Sequence, residues 1–343
     1  MANMLSDVID EYLVARRSAG YRPNTVRNDD FNLHQLLEVV GNIQVKNVTY
    51  RHIDSFMSEG AGRGLSASTL NLRLAAVSGF FRFCVQRRYV AAANDPTANR
   101  RPYKSAKRTR MRVPVVDFAR LLDAAPDPRD RIVVALGLYL LLRESEIRLL
   151  RIRDVNLAAG SMDVLVVKSA KADTMPICTE LDTELRRWMT YYAEHTPRSL
   201  RPNDALVPAW ERSKIQRQPD GLYRVAPSVR FMPDRPYSTP HRSVQAALVG
   251  AGFVTHDADG KSLREGVHTL RRSAARARFD ALSEMGVDRA LRHVQAMLHH
   301  SQISTTELYI GLDADRTARD TMLRGEVMFP AAVKAAAIRK VAG

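Results

Sequence analysis

The run Leu298-His299-His300-Ser301-Gln302-Ile303-Ser304-Thr305-Thr306-Glu307-Leu308-Tyr309 decides how this chain is read. Ser304 and Glu307 have the spacing of a capping box. A short helix is therefore expected there, carrying Tyr309 just after two histidines. Tyr309 is one of 11 tyrosines. Such a residue ordinarily packs its ring and bonds its hydroxyl. Three upstream segments change that reading.

The first is Leu142-Arg143-Glu144-Ser145-Glu146-Ile147, at the end of an apolar run from Ile132 to Leu142. A charge at the end of a buried helix must be paired, and Glu146 at i+3 offers a purely structural ion pair. The second is Val166-Val167-Lys168-Ser169-Ala170-Lys171 with Pro176 following. It reads as two strands joined by a lysine-bearing turn, which by itself is a solvated hairpin. The third is His268-Thr269-Leu270-Arg271, at a helix start.

The order Arg-x-Ser-Glu, a hairpin lysine, His-x-Leu-Arg, and His with Tyr nine residues later resembles the tyrosine recombinase, or phage integrase, family. The spacings from Arg143 to Lys168 and from Lys168 to Pro176 are similar to that family as well. So is the N-terminal part, with its Ser/Thr-rich helix start at Ser66 to Thr69 and its Asn-x-Pro end at Asn94 to Pro96. Each motif alone is weak; four in order are specific. Two departures stand out. The family often has Thr-Gly before Leu-Arg, where residues 139 to 142 read Tyr-Leu-Leu-Leu, positions expected to pack rather than react. It usually has Gly before the histidine, where this chain has His299.

The resemblance implies a site-specific recombinase that cuts and rejoins DNA through a 3′-phosphotyrosyl intermediate. Tyr309 would be the nucleophile. A side-chain nucleophile that is later displaced stores the energy of the cut bond, so no metal or nucleotide cofactor is required. Arg143 and Arg271 would fork across the non-bridging oxygens of the transition state. His300 would add a hydrogen bond, with His299 as the rival histidine. Lys168 would protonate the leaving 5′ oxygen, with Lys171 as its rival. His268 would take the phenol proton, and Glu146 would orient Arg143 or support His268. Implied partners are duplex DNA and three further copies of the chain, as a homo-tetramer on paired sites of a mobile element or chromosome. Rivals with the same chemistry are a resolvase and a type IB topoisomerase; a rival of another class is a catalytically silent DNA-binding protein.

Composition agrees with a polyanionic partner. The formal charge is +15, from 52 basic and 37 acidic residues in 343, and neutralised phosphates release counterions. Charge alone does not separate DNA from RNA or an anionic membrane. The longest apolar run is far short of the roughly 20 residues that span a bilayer. The N-terminus has no positive n-region. Only Cys84 and Cys178 are present, in apolar or strand-like settings that suit a reducing cytosol and offer no zinc spacing. The expected location is the cytoplasm, at the nucleoid of a bacterial or phage-infected cell.

The expected fold is mostly α with a small antiparallel sheet: a helical core-site DNA-binding domain over 1–96, then an α+β catalytic domain over 114–326. Stripes at Leu5, Val8, Ile9, Tyr12, Leu13, at Leu33, Leu36, Leu37, Val40, and at Leu70, Leu74, Val77, Phe81, Cys84, Val85 predict helices in the first domain. Thr49 is expected to cap a short helix there. A linker over 97–113 holds Arg100, Arg101, Lys104, Lys107, Arg108, Arg110 and Arg112 and no acidic residue. It is either a solvated tether or a basic strap across a phosphate backbone. In the second domain Asp117 should cap a helix, and strands are expected at 151–155, 163–167 and 174–177. Helices are expected at 181–194, 242–249, 269–282 and 287–298. Residues 197–240 hold eight of the 16 prolines and read as mostly loop. The tail over 327–343 is expected to dock on a neighbouring protomer, as the resemblance implies. With no room seen for an extra arm-site domain, an accessory bending protein is an optional partner.

Overall fold

The computed structural model describes residues 3–104, 111–166, 171–211, 215–217, 223–225, 230–253, 260 and 265–312. The chain divides into two compact units, with the break between residues 109 and 110.

The first unit is four helices: α1 (Leu5–Ser18), α2 (Pro23–Val40), α3 (Tyr50–Gly62) and α4 (Ala67–Gln86). Their stripes make one core of Leu5, Ile9, Leu33, Leu36, Ile53, Phe56, Val77 and Phe81, all essentially buried. Burial stabilises each such side chain by about 2 kcal/mol. The ends follow local chemistry. Pro23 opens α2, where a missing N–H costs nothing. The Thr49 backbone N–H donates to His52 Nδ1 at 3.0 Å, and Ser66 Oγ accepts from the Thr69 N–H at 3.2 Å.

The expected linker is anchored at both described ends. Arg100 Nη2 donates to Asp54 Oδ1 at 2.6 Å and to the Tyr50 carbonyl at 3.0 Å. The Tyr103 backbone pairs in both directions with the Asn71 side chain, at 2.7 and 3.0 Å. Residues 100–103 thus lie on the first unit. At the other end Val113 is buried, and its N–H donates to Ser273 Oγ at 2.8 Å within the second unit. Lys107, Arg108 and Arg110 lie outside the described residues, as does the tail.

The second unit is built around α6 (Pro128–Tyr139), preceded by α5 (Phe118–Asp123) and followed by α7 (Glu144–Leu149). Every residue from Ile132 to Leu138 on α6 is buried, as its all-round apolar sequence requires. Then come β1 (Val155–Asn156), β2 (Ser161–Val166) and β3 (Lys171–Pro176), an antiparallel sheet in that order, with Val164 opposite Asp173. After α8 (Thr179–Glu194) come β4 (Pro208–Trp210), β5 (Ile215–Arg217), β6 (Tyr223–Val225) and β7 (Phe231–Pro236). The chain ends its described part with α9 (Pro240–Gly250), α10 (Val267–Leu282), α11 (Val287–Met297) and α12 (Ile303–Ile310).

Three expectations are corrected and a fourth is refined. Residues 152–154 form a 3-10 turn rather than a strand, because Asp154 Oδ2 reaches back to the Arg151 N–H at 2.7 Å. Asp117 precedes α5 but makes no cap; its carboxylate pairs with Arg120 at 3.1 Å. Cys178 is the exposed residue before α8, not a strand residue. The proline-rich stretch over 197–240 is not loop alone. It holds two antiparallel pairs, β4 with β7 and β5 with β6. Trp188 Nε1 and the Tyr192 hydroxyl on α8 donate to the Leu206 and Ala205 carbonyls at 2.9 and 3.1 Å. Pro208 opens β4 and Pro236 closes β7, while Pro233 falls where the β4–β7 register shifts, so no ladder N–H is needed at any of them. Among the described residues no helix is long and apolar enough to cross a membrane.

Candidate active site

The site is assembled where α6 ends, α10 begins and α11 turns into α12. Gly137 permits the first approach. A Cβ there would sit 2.8 Å from Leu270 Cδ1 and 3.3 Å from its Cβ, so glycine lets α10 lie this close to α6 without displacing the Leu270 side chain. Arg271, next to Leu270, is thereby carried to the end of α6, and its guanidinium is 1% exposed.

Two guanidinium groups converge on one carboxylate and one carbonyl. Arg143 Nη1 donates to Glu146 Oε1 at 2.7 Å, while the other carboxylate oxygen accepts the Arg143 backbone N–H at 2.7 Å. Arg271 Nη1 lies 3.7 Å from Glu146 Oε2. Arg143 Nη2 donates to the Leu298 carbonyl at 3.1 Å, and Arg271 Nη2 donates to the same oxygen. Arg271 Nη1 also donates to the Leu141 carbonyl. Burial, and the neighbouring Arg143 charge, push the Arg271 guanidinium down to about 10, with Tyr309 and Glu146 acting the other way. It stays charged at neutral pH. Glu146 is fully buried, so it orients both arginines.

Both carbonyl acceptors sit at unusual backbone. Leu141 has φ +53 and His299, directly after Leu298, has φ +50. A left-handed residue other than glycine costs about 1 kcal/mol. These are the two places where the family pattern has glycine. Leu141 packs, as expected, at 2% exposure. It also does more than pack, since its carbonyl holds Arg271.

Tyr309 is on α12, half-buried. The expected capping box is corrected: α12 starts at Ile303, its preceding residue is Gln302, and no side chain caps it. Tyr309 Oη makes a long hydrogen bond to the His268 carbonyl at 3.4 Å. Its ring meets that of His300 edge-on, centroids 5.4 Å apart. His300 is oriented by Thr306 Oγ1, 3.1 Å from its Nδ1, and by Gln295, which accepts its N–H and donates to its carbonyl. His268 is exposed at the first turn of α10. Arg143, Glu146, Arg271, His300, Tyr309 and the His268 backbone are therefore brought together. Lys168 lies outside the described residues. Lys171, its rival, is exposed at the start of β3. His299 turns away to Asp173 on β3, its Nε2 2.7 Å from Oδ2.

Of the linker cations, Arg101 and Lys104 are exposed, Arg100 is engaged with Asp54, and Arg112 lies with its guanidinium against Gly311. The described residues hold no cluster of side chains that could bind a metal ion. Sequence reasoning missed the Leu141 and Leu298 carbonyls, Thr306 and Asp173. The carbonyls carry no sequence signal, since every residue has one.

The profile of the phage integrase family matches residues 113–316, and that of the phage integrase N-terminal SAM-like domain matches residues 9–88. The chain belongs to the phage integrase family, the tyrosine recombinases. Among curated integrase-family relatives, the tyrosine recombinase XerC of Mycobacterium sp. (strain JLS) is 31% identical over 317 residues, covering 88% of this chain and 92% of that one. The XerC of Haemophilus ducreyi is 26% identical over 309 residues, covering 87% and 86%. The fold is similar to that of the chain in a lambda integrase dimer bound to a COC′ core site, with a TM-score of 0.64 and 15% identity, covering 90% of this chain and 77% of that one. A lambda integrase tetramer bound to a Holliday junction gives a TM-score of 0.61 at 15% identity, covering 87% and 78%.

Proposed function

We propose that this integrase-family chain is a site-specific recombinase that cleaves and rejoins duplex DNA through a phosphotyrosyl bond at Tyr309. The observation that carries this reading is the pair of guanidinium groups held at one carbonyl beside the Tyr309 ring. Two positive charges face one buried carboxylate, so one positive charge is left over in a low-dielectric site. A phosphodiester supplies the missing negative charge, and its non-bridging oxygens take the place of the carbonyl acceptors.

In this scheme the Tyr309 oxygen attacks phosphorus and displaces the 5′ oxygen, leaving DNA joined through its 3′ phosphate. Arg143, Arg271 and His300 stabilise the charge that gathers on the phosphoryl oxygens. The phenol proton goes to His268, and Lys168 protonates the leaving oxygen. The reverse attack by a 5′ hydroxyl rejoins the strand, so neither metal nor nucleotide is consumed. The helical domain over 1–96 and the catalytic domain over 114–326 grip DNA, with the basic residues of 97–113 on the phosphate backbone. Four copies act on two sites, the tail over 327–343 docking on a neighbour, at the nucleoid in the cytoplasm. The XerC relatives and the lambda integrase complexes support this reading.

The test is capture of protein-linked DNA. The full-length protein is mixed, in chelator, with fragmented DNA flanking its own gene and denatured in detergent, beside a Tyr309→Phe control. Adducts at one short sequence, absent from the control, are expected. Adducts from Tyr309→Phe would identify another nucleophile. Sequence-specific binding with no adduct would identify a catalytically silent DNA-binding protein.

A further inference from the structure

His299 occupies the turn between α11 and α12, and none of the steps above uses it. Its backbone is left-handed, φ +50, a conformation that glycine would adopt without strain. Its Nε2 lies 2.7 Å from Asp173 Oδ2 on β3, a residue 126 positions earlier. The imidazole is 14% exposed, and its Nδ1 is buried with no hydrogen-bond partner among the described residues. The ring is therefore enclosed, and Asp173 is its polar contact there. A strained backbone kept with a side chain that makes a long-range bond points to a use for that bond.

The place of Asp173 says what the use is. β2 and β3 form a hairpin joined by residues 167–170, which include Lys168. β3 is an edge strand, and of its six residues only Met175 is buried. Apolar burial therefore holds β3 weakly, and a polar tie has much to decide. Asp173 is itself half-exposed, so the pair adds little to folding stability. Its effect is on position. On the other side of the bond, Leu298 holds both arginines through its carbonyl, and His300 follows.

We propose that His299 is a positioning residue whose bond to Asp173 fixes the β2–β3 hairpin against the turn that presents the Leu298 carbonyl and His300. The proposal rests on the functional reading above, in which Lys168 protonates the leaving 5′ oxygen. A proton donor displaced by about 1 Å loses ten- to a hundredfold in rate.

Two measurements separate the tether from the chemistry. The first is amide hydrogen exchange of the free full-length protein. His299→Gly relieves the backbone strain, so folding is retained, yet the β3 amides should exchange about tenfold faster. Asp173→Ala should match it, the double variant should add nothing, and Asp173→Asn, which keeps an acceptor, should restore protection. Unchanged β3 exchange in His299→Gly overturns the tether.

The second is single-turnover formation of the covalent complex on the captured duplex, made with either an ordinary or a 5′-bridging phosphorothiolate linkage. A thiolate leaves without a proton. His299→Gly should be about tenfold slower on the ordinary linkage and near wild type on the thio linkage. Equal slowing on both linkages overturns the proposed action through the leaving-group proton. Lys168→Ala is the control. Its failure to recover on the thio linkage would refute the role given to Lys168, while the exchange result still decides the tether.

Discussion

Arg143 and Arg271, 128 positions apart, donate to the same oxygen, the carbonyl of Leu298. Like charges this close repel; the buried Glu146 and the carbonyls of Leu298 and Leu141 offset that repulsion. Under the proposed function, the two guanidinium groups are already oriented side by side, and a phosphate oxygen replaces the carbonyl as their shared acceptor. Arg271→Ala or Arg143→Ala should each raise the cleavage barrier by ~3 kcal/mol or more. Lysine at either position should restore little, because an ammonium cannot fork across two oxygens. Single-turnover cleavage of the captured duplex measures both; losses below about tenfold in both alanine variants would contradict the transition-state role.

Glu146 faces both guanidinium groups with no exposure of its own. Removing it leaves two neighbouring cations without the buried carboxylate between them. Glu146→Ala should cost about 3 kcal/mol of stability in the second unit. Urea unfolding measures this, and a loss below about 1 kcal/mol would show that the arginines do not depend on it.

Gly311 ends α12 two residues after Tyr309, at φ +77, with the Arg112 guanidinium lying where a Cβ would project. The guanidinium is the mobile end of its chain and can move aside; the left-handed φ cannot. Gly311→Ala should lower stability by about 1 kcal/mol and reduce the yield of covalent complex by displacing Arg112 and shifting α12. A wild-type adduct yield from a correctly folded Gly311→Ala protein would show that this helix end does not affect the nucleophile.

Asp204 accepts both Arg198 Nη1 and Nη2 at 2.7 Å and the Arg201 N–H at 2.7 Å. The Arg198 bonds, outweighing the opposing effect of burial, hold its carboxyl below the usual carboxylate range. A depressed carboxyl contributes stability that is present above its unfolded pKa of about 3.9 and is lost as pH falls through the lower folded value. Asp204→Asn should therefore be less stable than wild type at neutral pH and should lose less on acidification. Parallel acid limbs in pH-dependent unfolding would rule this contribution out.

The first unit was largely legible in the sequence because its helices declare themselves by period. Leu5, Ile9, Leu33, Leu36, Val77 and Phe81 were expected in the core and are buried there. The short strands within 197–240 were not legible for a physical reason. They are three to six residues long, and the prolines at and within them look like loop chemistry.

For the candidate site, the sequence by itself determined which side chains are present and in what order. Arg143, Lys168, His268, Arg271, His300 and Tyr309 could be named as candidates from the ordered motifs that resemble the family's, because a side chain is written in the sequence. Only the tertiary structure decided what those atoms meet. The carbonyls of Leu141 and Leu298 became acceptors because Gly137 lets α10 lie against α6 and because two left-handed residues turn the backbone inward. His299, the rival histidine in the sequence, is turned to Asp173 instead. A backbone carbonyl has no residue type to announce it, and a bond across 126 residues exists only once the packing between its ends is made.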